Sequence, residues 1–279
     1  MSHFANLGLK PASVTTEDAF DRWFTDLAGQ LLNGIDLLVA GTPYRIAELE
    51  VYYHGPGHAD PFAHRDPIQL ENGRWYFHRH GRRYRGGSFK GLDLTFGDRI
   101  AYGGILLRSI VAPDGRAITG PCRTVEHLLT RIGAKDVATL DQQIAGRTVW
   151  DAAAPLAICV PAVPRSAPVY RSSRVGLSLK RAIPEAPRFV GKPYRFLTTP
   201  RVIAQGRLHL VLSLHQTGLP PAAIHELTGV PRHAIDRFLA HFEAGRAARS
   251  FDRYCGRRLT SAEVCALLGT WAATYSRSE

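Results

Sequence analysis

The stretch Arg45–Asp66, RIAELEVYYHGPGHADPFAHRD, sets two glutamates two residues apart inside an otherwise apolar run and follows them with a loop rich in His, Gly and Pro. Successive side chains of a strand point to opposite faces, so Glu48, Glu50 and Tyr52 are predicted on one face and Leu49 and Val51 on the other. Residues i and i+2 lie about 6.5–7 Å apart along a strand. Two carboxylates held that close in partial burial cannot both ionise freely. The spacing alone leaves two readings open. One is hydrolysis of a glycosidic bond, which uses paired carboxylates. The other is an edge strand with a solvated, arginine-paired face.

Outward from this strand, Glu17–Leu32 carries Phe20, Trp23, Phe24, Leu27 and Leu31 at helical spacing, with Thr-Thr-Glu-Asp before and within its first turn. GIDLLVAGTPYRIAELEVYYH is predicted as two strands joined by a Gly-Thr-Pro turn. GRWYFHRHG, KGLDLTFG and YGGILLRSIVAPDG are further short strands bounded by glycines, Gly86-Gly87 is predicted as a hairpin turn, and GPCRTVEHLLTRIG opens a helix near its proline. VPAVPRSAPVYRSSRVGLSLK is punctuated by proline and extended. Strands with interspersed helices give an α+β class for residues 1–204. After Gln205 the texture becomes helical throughout, with breaks at Gly218-Leu219-Pro220 and Thr228-Gly229-Val230. A short helix, a tight turn and a helix opening PRHAIDRF give residues 205–279 a helix-turn-helix-like reading, with Arg232, His233 and Arg237 near the start of the groove-reading helix.

Charge narrows the partner. Lys and Arg outnumber Asp and Glu 35 to 24, a net +11. Between Asn72 and Leu92 there is no acidic residue, while Arg74, Arg79, Arg82, Arg83, Arg85 and Lys90 alternate with Trp75, Tyr76, Phe77, Tyr84 and Phe89, and with His78 and His80. Cations interleaved with aromatics suit a phosphate backbone with bases nearby, so DNA is the expected partner; a solvated basic hairpin is the plain alternative. No apolar run reaches the roughly 18 residues of a membrane span. The start of the chain lacks the basic and apolar regions of a signal peptide, so a cytoplasmic protein is expected, nucleoid-associated if bacterial. Cys122, Cys159, Cys255 and Cys265 are far apart and expected reduced, and His54, His58 and His64 lack the companions of known metal motifs.

Six segments, in order, resemble the eukaryotic-type alkyladenine (3-methyladenine) DNA glycosylase family. LAGQLLNGIDLLV is similar to its lead-in helix and strand, and the opening stretch to its pocket-forming Glu-x-Glu-x-Tyr segment with the following histidine. GRWYFHRHG resembles a strand bearing pocket aromatics, and GGILLRSIVAPDG the "LLR" strand. ITGPCRTVEHLL and RVGLSLKRAIPEAPRFVGKPYRFLTTP resemble its Gly-Pro helix and its late segment. The resemblance implies a curved, mainly antiparallel sheet with flanking helices. It also implies a monomeric, cofactor-free and metal-free N-glycosidase that flips a damaged nucleotide out of duplex DNA.

On that resemblance Glu50 deprotonates the attacking water, Glu48 is its same-face neighbour, and Arg108 helps hold the water and the adjacent backbone. Tyr52 is a stacking wall, and His64 contacts the nucleotide or its 5′ phosphate. His78 stands where the family has a second stacking tyrosine. The wedge tyrosine has no aligned match, and His80, Arg82 and Tyr84 are its candidates. Arg79, Arg83, Arg85 and Lys90 are expected to contact DNA. The alternative is a catalytically altered relative of the same fold that binds DNA or senses lesions.

Overall fold

Thr16 starts the first helix. Its hydroxyl accepts from the Ala19 amide, and Glu17 and Asp18 sit at the positive end of the first turn. This helix, α1 (Glu17–Gly34), buries Phe20, Trp23, Phe24, Leu27 and Leu31, the stripe its spacing predicts. The structure, a computed structural model, describes residues 7–275. It is a mixed α/β chain that divides into two compact units.

The first unit comprises Met1–Ala59, Ala63–Val169 and Phe196–Thr199. β1 (Asp36–Val39) and β2 (Thr42–Gly55) form an antiparallel hairpin. Its turn is Ala40-Gly41, both at positive φ (46° and 78°), rather than the predicted Gly-Thr-Pro. Two left-handed residues make the turn type whose twist matches the flanking strands, and Pro43 is thereby left inside β2, opposite Leu38. β3 (His58–Ala59) folds back onto the end of β2. β4 (Asn72–Phe77), the small hairpin β5 (Arg79–His80) and β6 (Arg83–Tyr84), β7 (Leu92–Phe96), β8 (Tyr102–Val111) and β9 (Ala117–Thr119) follow. α2 (Pro121–Ile132), α3 (Val137–Ile144) and β10 (Leu156–Cys159) complete the order. The β5–β6 turn falls at Gly81, φ 58°, and not at Gly86-Gly87, where a short 3-10 turn over Gly87–Phe89 begins instead.

The main sheet runs β10-β1-β2-β8-β7-β4, antiparallel at each step, and curls strongly into a half-barrel. Its two faces are chemically opposite. On one, Leu49 and Val51 are fully buried beside Tyr53. The Tyr53 ring lies 5.5 Å from Phe20 and 5.4 Å from Trp23, and Phe96 lies 5.6 Å from Trp23, so α1 seals this face. Each such buried side chain contributes about 1.5–3 kcal/mol. The other face holds the polar residues described below.

The second unit comprises Asp60–Phe62, Tyr170–Arg195 and Pro200–Glu279. It holds β11 (Tyr170–Ser172), α4 (Ala186–Phe189), α5 (Arg207–Gln216), α6 (Pro221–Thr228), α7 (Arg232–Ala248) and α8 (Ser261–Tyr275). The division does not fall at 204/205. Leu179, Ala186 and Val190 share one apolar core with Leu212, Phe242, Leu268 and Trp271 of the helices, so the extended 170–195 segment belongs with them. α7 and α8 meet at Gly245 and Gly269, where a Cβ on either would strike the backbone of the other helix. Buried Arg174 donates to the Asp60 carboxylate, and buried Arg195 donates to the Gly206 and Gln205 carbonyls at 2.9 Å each. Among the described residues no helix is long and apolar enough to cross a membrane. All four cysteines are free.

Candidate functional site

Two compensating irregularities in the β2–β8 ladder create the site. Ile46 pairs with Ile110, Glu48 with Ser109 and Leu49 with Leu107, so Ala47 on β2 and Arg108 on β8 are each an extra residue. Bulges re-aim side chains. Arg108 and Ser109, neighbours that a regular strand would send to opposite faces, therefore both reach Glu48. The Arg108 Nε donates to Glu48 Oε1 at 2.9 Å, and the Ser109 hydroxyl donates to Glu48 Oε2. Arg108 Nη1 lies 3.2 Å from Glu50 Oε1, and the Tyr52 hydroxyl donates to Glu50 Oε2 at 2.7 Å. The first turn of α2 fixes the bulge from behind. Thr124 Oγ1 donates to the Arg108 carbonyl at 3.1 Å, and the Gly120 amide donates to Ser109 Oγ at 3.3 Å.

Both glutamates are fully buried and Arg108 is 3% exposed. Like charges this close demand a counter-charge, and the guanidinium supplies it to both carboxylates. Burial pulls the Arg108 pKa down, but Glu50 and Glu48 outweigh it and the net direction is up, so the cation is permanent. The arginine-paired alternative was right about the partner and wrong about the solvent.

Across the sheet the same face continues. Glu50 pairs with Leu106, Leu106 with Asp93 and Asp93 with Tyr76, a row spanning β2, β8, β7 and β4. Opposed residues are about 4.5–5.5 Å apart, so Glu50 and Asp93 stand about 10 Å apart with Leu106 between them. Asp93 anchors a second polar cluster. His78 Nε2 lies 2.7 Å from its Oδ1, and Gln69 Nε2 donates to its Oδ2 at 3.0 Å. A Cβ on Gly104, beside them on β8, would meet the Gln69 amide and the Asp93 carboxylate, so any side chain there would have to displace this pair. The His64 ring centroid is 4.2 Å from that of His78, and His64 Nδ1 is 3.3 Å from the Tyr76 hydroxyl. Asp66 and Gln69 form a reciprocal cap on the short turn Pro67–Leu70, which holds this loop against the sheet.

The expected pair His64 and His78 is thus brought together, though His78 is tied to Asp93 and packed beside Gly91. Asp93 joins the cluster, while Thr95, two residues on along the same strand, accepts through Oγ1 from the Arg74 amide at 2.9 Å. Tyr76, Gln69 and Ser109 were not singled out. The i, i+2 relation of Tyr76 to His78 and the Asp66-Pro-x-Gln69 capping pattern were the available signals.

His64 is held down to about 4, first by burial and next by the neighbouring His78. Neutral in the folded state at pH 7, it must take up a proton to unfold in acid. Its contribution is therefore complete above about pH 6.5 and is lost as pH falls through about 4. Relative to a His64→Asn variant, the wild type is expected to lose up to about 3 kcal/mol of unfolding free energy between pH 7 and 4. Urea titrations across that range check it. Equal pH dependence of the two proteins would contradict the assignment.

The basic window is less free than its composition implies. Arg74 pairs with Glu71 at 2.8 Å, Arg79 with Asp141 at 2.7 Å and Lys90 with Glu126 at 2.6 Å. Tyr84 donates to the same Asp141 at 2.6 Å, and burial, with that bond, raises its phenol to about 12. Arg85 Nε lies 3.4 Å from the Arg79 carbonyl, whereas His80, Arg82 and Arg83 are exposed. In the second unit Arg232, His233 and Arg237 are exposed on the first turns of α7. Among the described residues no group of three or more His, Cys, Asp or Glu is arranged to hold a metal ion. His58 is packed against Phe20 and Phe24, 4.9 and 5.3 Å away.

No protein-family model matches this chain. An uncharacterized protein of Acanthamoeba polyphaga mimivirus is 40% identical to it over 134 residues, which cover 42% of this chain and 62% of the relative. The chain therefore spans less than two thirds of the length of that relative.

Proposed function

We propose that this protein is a monofunctional DNA glycosylase of the alkyladenine type, hydrolysing the N-glycosidic bond of an alkylated or otherwise damaged purine. The observation that carries the reading is the Glu50–Arg108–Tyr52 constellation on the polar sheet face, in one row with Asp93 and Tyr76. Breaking the glycosidic bond leaves its electron pair on the base and builds positive charge on the sugar. A carboxylate stabilises that charge and takes the proton of the water that attacks the anomeric carbon. Glu50 fills this role. Arg108 pairs with it and fixes its position, and Tyr52 orients its second oxygen. Glu48 acts as a positioning residue by gripping the same guanidinium. His64, neutral at pH 7, offers a hydrogen bond without repelling a cationic alkylated base. Exposed Arg82 and Arg83, and Arg232 and Arg237 on a helix-turn-helix-like α6–α7 pair, are the proposed phosphate contacts.

One observation favours a second reading, a catalytically altered relative that binds DNA without cleaving it. Glu50 is fully buried, with both carboxylate oxygens engaged, so water reaches it only when a neighbour moves. Incubation with methylated duplex DNA followed by alkali separates the two. Alkali-labile sites at modified purines, without strand breaks before alkali, are expected. Binding without such sites would establish the second reading.

A further inference from the structure

The net charge is carried unequally. The second unit holds 17 Lys and Arg against 8 Asp and Glu, while the first holds 18 against 16, so +9 of the +11 lies outside the unit with the Glu50 site. Buried Arg174 and Arg195 are spent internally. Much of the remainder lies at one place. Residues 246–258, the end of α7 and the turn after it, contain five arginines and one acid, Asp252. The Gly256 amide donates to the Leu179 carbonyl at 3.1 Å, which sets Lys180 and Arg181 beside this turn. Lys180, Arg181, Arg249, Arg253, Arg257 and Arg258 are all exposed, and of these Arg257 is paired, 2.7 Å from Glu263.

Interaction with the helix dipole explains a cation in the last turn of α7, but not those on the turn beyond it or on the facing 180–181 segment. We infer that this surface binds the phosphodiester backbone of a nucleic acid, anchoring the chain independently of the base-excising site. Five of the six cations are arginines, whose planar fork matches phosphate oxygens two at a time. An anionic membrane fits less well. Surface-lying segments pair their cations with apolar side chains that enter the lipid, whereas Leu177, Phe251 and Leu259 here turn into the apolar core of the unit.

The inference extends the DNA reading but is tested apart from it, on undamaged duplex. Binding of the full chain to a duplex of about 20 base pairs is followed by fluorescence anisotropy from 50 to 200 mM salt. The fourfold variant Lys180→Ala, Arg181→Ala, Arg253→Ala, Arg258→Ala is expected to bind at least tenfold more weakly at 100 mM salt. Its slope of log K against log salt should be shallower by about 3–4, near 0.9 per lost phosphate contact. Each single variant should lower the slope by about 0.9, which keeps the test open if the combined variant misfolds. Unchanged slopes in the folded variants would overturn the inference, as would loss of binding to phosphatidylserine vesicles with DNA binding intact. Absence of base release with these slopes confirmed would overturn only the glycosylase reading.

Discussion

Replacing Arg108 by alanine is expected to lower the unfolding free energy of the site-bearing unit by about 3–5 kcal/mol. The reason lies in what remains. Glu48 and Glu50 are fully buried, and the guanidinium bridges them through Nε and Nη1. Without it, two carboxylates stand in a low-dielectric interior with each other for company. Arg108→Lys retains the charge on a compact head that cannot present two donors to two acids in this geometry, so its loss should be intermediate. Urea unfolding followed by tryptophan fluorescence, with Trp23 and Trp75 buried in the same unit, measures both. A cost below about 1 kcal/mol for the alanine variant, typical of a solvated surface pair, would mean that the site opens to water and that the buried bridge is not what holds it.

Glu50→Gln is expected to lower base release on the order of 10³-fold, the middle of the range for loss of a positioned general base and the upper end of that for loss of one electrostatic stabiliser. The substitution preserves shape and a hydrogen-bond acceptor for Tyr52. It removes the negative charge that offsets the developing cation and accepts the proton of the water. Glu48 still faces Arg108 at 2.9 Å, so the guanidinium keeps a counter-charge and the fold survives. DNA affinity should change no more than about threefold, because the phosphate contacts lie elsewhere. Glu48→Gln should instead act through Arg108, with a smaller kinetic effect and a larger loss of stability. This contrast separates a residue that touches the reacting water from one that positions its partner.

The sharing of one face by Glu48, Glu50 and Tyr52 was legible because strand alternation is local, and α1 was legible because its apolar stripe and its cap both lie within one stretch of chain. Meeting Arg108 was readable only through the family resemblance. Its convergence with Ser109 on Glu48 was not readable at all, since it depends on where β2 and β8 each carry an extra residue. Asp93 and Thr95, at i and i+2, share one face of β7, so alternation alone could not say which of them meets His78 and Gln69. The basic window looked freer than it is because Asp141 and Glu126 lie 62 and 36 residues from the cations they pair with. The 170–195 segment gave no helical signal of its own. Its allegiance is decided by Leu179, Ala186 and Val190 finding the helices, a packing choice that no local pattern encodes.

The most direct test is a single-turnover time course with excess protein on a duplex bearing one methylated purine, run in parallel for the wild type and Glu50→Gln, with DNA binding measured in the same samples. Release of the free methylated base by the wild type, reduced on the order of 10³-fold in the variant at near-equal binding, is the predicted result. No base above the buffer control, or equal release by both proteins, would contradict the assignment of hydrolysis to Glu50.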